Sequence, residues 1–84
     1  MLGVSAFDYR APAELFTSKA AKRPIRYTRF KSAAKAVQYA IEELPRELLI
    51  GTTLEVNEDR YDGYGIRQLY ENPNYPYRRK TVET

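Results

Sequence analysis

The sequence predicts a small single α+β domain, ββαβα in order, with a three-stranded sheet and its main helix packed on one face. Three stretches carry that expectation: a capped amphipathic run over 32–45, an alternating "TTLEV" at 52–56, and "IRYTRF" at 25–30, rich in aromatic and β-branched residues. With 84 residues, such a domain hides only about 60 to 65% of the surface its unfolded chain exposes, and its stability falls at roughly 4 to 12 kcal/mol. Any strand edge left uncovered then favours self-association.

In chain order, residues 1–12 show no period and end at Pro12, which predicts a loosely ordered lead-in that docking alone would fix. The domain proper is expected over 13–72. "ELFTS" (14–18) gives a first strand and residues 25–30 a second, paired antiparallel across a basic, proline-containing link. In "SAAKAVQYAIEELP", Ser32 is a helix cap, Ala33, Val37, Ala40, Ile41 and Leu44 form one stripe, and Pro45 stops the helix. Strand 52–56 then sets Leu54 and Val56 on one face and Thr53 and Glu55 on the other. If this strand shares a sheet with 25–30, the helical connection between them is a parallel crossover.

"DRYDGYGIRQLY" (59–70) invites a phosphate-loop or metal-loop reading. The dinucleotide pattern fails, since Gln68 stands where the third glycine belongs and carboxylates precede the turn. A calcium loop aligned on Gly63 would place Arg60 among the ligands and Leu69 at the bidentate clamp. The helical reading remains: Asp62 caps, Ile66, Leu69 and Tyr70 form the apolar side, and "ENP" ends the helix. Residues 73–84 read as an extended, basic tail with two prolines and two tyrosines, poorly packed unless Tyr75 or Tyr77 docks.

With no histidine and no cysteine, the usual general base, the thiolate nucleophile and most zinc ligand sets are missing, so the chain is expected to be non-catalytic, without cofactor or metal. The lack of cysteine also gives no sign of an oxidising compartment. Cytoplasmic location is the expectation, with no export segment and no membrane span.

Net charge is +3, unevenly spread: seven cations and no acid over 19–35, then eight carboxylates against three arginines over 42–71. Lys22, Arg23, Arg26, Tyr27, Arg29, Lys31 and Lys35 form a candidate surface for a partner or for nucleic acid, where cations hold phosphates and rings stack on bases. An RNA-recognition sheet would require a fuller aromatic motif, and a ribbon-helix-helix DNA binder a second long helix where "LLIGTTLEV" stands. The competing account pairs the basic segment with the acidic one, within the fold or across a homodimer. On the main helix, Lys31 and Lys35 sit at the start and Glu42 and Glu43 at the end, against the helix dipole, so an acidic neighbour is expected. Tyr27, Tyr39 and Tyr70 are expected to edge the core, while Tyr61, Tyr64, Tyr75 and Tyr77 form a candidate interaction loop. The expected function is a self-associating protein-interaction module with an unidentified protein partner, and nucleic-acid binding by residues 22–35 is the alternative.

The segments "RFKSAAKAVQYAIEELP" and "LEVNEDRYDGYGIRQLYENPNYP" resemble small bacterial proteins of unknown function, over roughly residues 25–76. The resemblance implies a bacterial source and transfers no catalytic motif.

Overall fold

The computed structural model describes residues 7–17 and 26–78. The order of elements is β1 (Ala13–Thr17), β2 (Arg26–Phe30), α1 (Ala33–Glu42), a single-turn α2 (Arg46–Leu49), β3 (Thr52–Val56), β4 (Asp59–Tyr61) and α3 (Gly63–Glu71). The α+β class holds, but the sheet has four strands rather than three, all antiparallel, in the order β2-β1-β3-β4.

Burial is deepest in the two inner strands, β1 and β3. Ala13, Leu15 and Thr17 of β1 are buried, as are Thr52, Leu54 and Val56 of β3, and both strands turn these residues toward α1 and α3. β2 lies at the rim, and its Tyr27 and Arg29 are exposed on the face away from the helices. Because β2 and β3 both run antiparallel to β1, they are parallel to each other with β1 between them. The expected crossover thus spans a strand.

The fourth strand comes from a two-residue turn at Asn57 and Glu58, both at positive φ, 52° and 75°. Positive φ at both central positions is what a type I′ hairpin demands, and it is normally met by Asn-Gly. Glutamate in the left-handed region costs about 1 kcal/mol or slightly more. Glu58→Gly is accordingly expected to stabilise the protein by about 1 kcal/mol, seen as a rise in Tm of about 4 to 8 °C by circular dichroism. An unchanged or lower Tm would refute strain at this turn.

Both long helices start as their sequences dictate. Ser32 Oγ accepts from the Lys35 N–H at 3.3 Å, and Asp62 Oδ1 accepts from the Gly65 N–H at 2.8 Å. Val37, Ala33, Ala36 and Ala40 of α1 and Ile66 and Leu69 of α3 face the sheet and each other. Gly63 is required by close approach: a Cβ there would meet the Leu49 carbonyl oxygen at 2.5 Å, so only glycine lets α3 start against the end of α2. The buried Thr52 hydroxyl donates to the Leu48 carbonyl at 2.7 Å and lies 3.3 Å from that of Thr17, which satisfies this polar pair inside the sheet.

The described part of the lead-in, residues 7–12, is docked. Its carbonyls at Ala11 and Tyr9 accept from the N–H groups of Ala33 (2.6 Å) and Ala34 (2.9 Å), so backbone dipoles serve the first turn of α1, which holds no acidic side chain. Tyr9 is buried, and its hydroxyl donates to the Leu69 carbonyl at 2.7 Å. On the tail, Tyr75 is also buried, and its ring meets those of Tyr9, Tyr70 and Tyr77 at 6.1, 4.9 and 5.8 Å. Phe7 extends the cluster by touching Tyr9 and Tyr61 at 4.8 and 5.4 Å. One aromatic clasp therefore binds the lead-in, the start of the tail and α3 together.

Candidate functional site

The helices cover one side of the sheet. Among the described residues, no element covers the other, and register fixes what that side displays. Arg29, Glu14, Glu55 and Arg60 stand in one row across β2, β1, β3 and β4, and Tyr27, Phe16 and Thr53 stand in the next. The charged row is internally paired. Arg29 Nη2 lies 3.5 Å from Glu14 Oε2, and Arg60 Nε lies 3.9 Å from Glu55 Oε1. All four side chains are solvated to some degree, so each pair contributes less than about 1 kcal/mol and serves mainly to set orientation.

Glu14 also organises the aromatic row. The Tyr27 hydroxyl donates to Glu14 Oε2 at 3.0 Å, and this hydrogen bond to a carboxylate is the main cause that raises the phenol's pKa above its ordinary value. One side of the Tyr27 ring rests against Phe16 at 5.2 Å, yet the residue remains 52% exposed. The expectation that Tyr27 edges the core is therefore corrected: its register position directs it away from the helices. Tyr39 and Tyr70 do pack on or within the core.

The candidate basic strip separates. Lys22 and Arg23 lie outside the described residues, and Arg26 is described in its backbone alone. Arg29 is on the open face with Tyr27. Lys31 shares with Arg29, Glu14, Glu55 and Glu58 a hollow at the end of the sheet. Lys35 is on the helical layer, its Nζ 5.4 Å from the centre of the Tyr77 ring. The basic–acidic pairing expected from the sequence exists in a different form: Arg29 takes Glu14, while Glu55 takes Arg60 and Asp62 caps α3. At the far end of α1, Glu42 accepts from the Tyr70 hydroxyl at 2.7 Å.

The four loop tyrosines do not form one surface. Tyr75 is in the clasp, Tyr77 and Tyr61 are half-buried beside it, and Tyr64 points outward, 72% exposed. Burial, with a smaller contribution from the charge of Asp59, raises the pKa of the Tyr61 phenol. Sequence reasoning passed over Ile50, 81% exposed, which with Tyr64, Leu49, Arg46 and Arg67 borders a shallow hollow between α2 and α3. Its signal was present: an apolar residue directly before Gly51, at the end of a helix too short to bury both flanks.

Among the described residues, no group of three or more histidine, cysteine, aspartate or glutamate side chains is placed to hold a metal ion. No described helix is long and apolar enough to cross a membrane. The fold and its open face define a two-layer α+β domain with an uncovered antiparallel sheet. No protein-family model, curated protein or solved structure matches the chain.

Proposed function

We propose that this chain is a non-catalytic protein-interaction module that works as a homodimer in the cytoplasm. The observation that supports it is the sheet's end at β2: five residues in unbroken register with β1, free of proline, and with β1 as the strand's neighbour in the sheet. A strand edge of this length offers a row of backbone donors and acceptors that a second strand can pair. Lack of cysteine and histidine supports the non-catalytic and cytoplasmic parts of the reading. Light scattering over a concentration series tests it, with the mass expected to reach twice 9.8 kDa in the micromolar range. A mass of 9.8 kDa throughout would refute self-association.

A second reading draws on Phe16, Tyr27, Arg29 and Arg60 of the open face, rings and cations such as single-stranded nucleic acid uses. Glu14 and Glu55 weigh against it, because they stand between the two arginines and would repel phosphate. A monomer that binds mixed oligonucleotides below about 10 μM at physiological salt, with affinity falling steeply as salt rises, would replace the first reading by this one.

A further inference from the structure

Within the homodimer reading, on which this step rests, the sequence of β2 specifies a particular contact. We infer that the outer edge of β2 pairs antiparallel with β2 of a second copy, centred on Thr28. The strand reads Arg26, Tyr27, Thr28, Arg29, Phe30. Centred on Thr28, antiparallel pairing sets Tyr27 of each chain opposite Arg29 of the other, and in register Arg26 falls opposite Phe30. Each arginine position faces an aromatic position, and Thr28 faces itself. Threonine pairs and cation–aromatic pairs are favourable cross-strand neighbours, whereas like charges directly opposite are not. A shift of the centre by one residue in either direction puts a cation position opposite itself or opposite threonine and loses the match.

The local geometry prepares this contact. Phe16 supports one side of the Tyr27 ring, and Glu14 accepts from the Tyr27 hydroxyl, leaving the outward part of the ring exposed. Arg29 keeps its guanidinium on the same face, largely solvated and next to that carboxylate, which offsets the two arginine charges brought together at the centre. Lys31 of the two chains would lie about 20 Å apart along the strands, more than two Debye lengths at physiological salt. Pairing so arranged would join the two sheets into one of eight strands, β2 against β2 at its middle.

Because the chain has no cysteine, single introduced thiols read the register directly. Thr28→Cys places two Cα atoms about 4.5 to 5.5 Å apart, within disulfide range, whereas Arg29→Cys places its own pair about 8 Å apart, beyond it. Mild oxidation of Thr28→Cys is expected to give a covalent dimer, Arg29→Cys alone none, and an equimolar mixture of Tyr27→Cys and Arg29→Cys a heterodimer. In parallel, Arg29→Ala, which removes the two Tyr27–Arg29 pairs from a solvated position, is expected to weaken the dimer about tenfold without altering the circular dichroism spectrum. Should the natural chain scatter as a dimer while Thr28→Cys fails to cross-link faster than a Thr53→Cys control, or while Arg29→Ala leaves the dimer affinity unchanged, the β2 contact is wrong and another surface joins the copies. A natural chain that stays monomeric would overturn this contact and the homodimer reading together.

Discussion

Val37→Asp is expected to leave the chain unfolded at room temperature. Val37 has no solvent exposure and sits on the face of α1 formed by Ala33, Ala36 and Ala40. A carboxylate there loses its water and gains no partner, a change in the upper tail of single-substitution effects at more than about 4 kcal/mol. The whole domain has only roughly 4 to 12 kcal/mol to lose. Far-ultraviolet circular dichroism and a urea titration decide the matter, and a cooperative transition within about 1 kcal/mol of the natural protein would show that α1 does not pack on the sheet as described.

Tyr75→Ala is expected to cost about 3 to 5 kcal/mol, the range for emptying a buried aromatic site. The residue lies beyond the last helix, in a stretch whose prolines and lack of period suggest an extended strip, yet its ring is buried among three others. A urea midpoint displaced by less than about 1 kcal/mol equivalent would mean that the tail contributes little to stability. Tyr64→Ala is the contrast, because that ring is mostly solvated. Its effect should stay within about 0.5 kcal/mol, as for other exposed positions.

These two sites also show what the sequence made legible. Helix α1 was readable because a serine cap, a three-and-four apolar spacing and a terminating proline all agree. Helix α3 was readable because Asp62 and the glycines made better sense as a cap and first turn than as a ligand loop. Strand β4 was hidden by its turn, since Asn57–Glu58 has the positive φ values of a hairpin without the glycine that advertises one. The neighbour order of the strands was hidden for a different reason: it depends on which strand can be buried on both flanks, a property of the assembled sheet. The open-face row Arg29, Glu14, Glu55, Arg60 draws one residue from each of four strands and becomes visible only with the register. The clasp was hidden likewise, because nothing local in "FDYR" or "NYPY" indicates that their rings meet.

The clasp also has a bearing on rates. Tyr9 hydrogen-bonds to Leu69 across 60 positions of chain and meets the ring of Tyr75, so these two contacts can close only after the sheet and α3 have brought their anchors together. Contacts that form after the transition state leave the folding rate nearly unchanged and act on the escape from the native state. Tyr75→Ala should then shift the unfolding limb of a chevron plot by most of its equilibrium effect and leave the refolding limb close to that of the natural chain. With that outcome the clasp would be, in kinetic terms, a latch fastened last and released first, and the native lifetime of so small a domain would be set there more than in its helices.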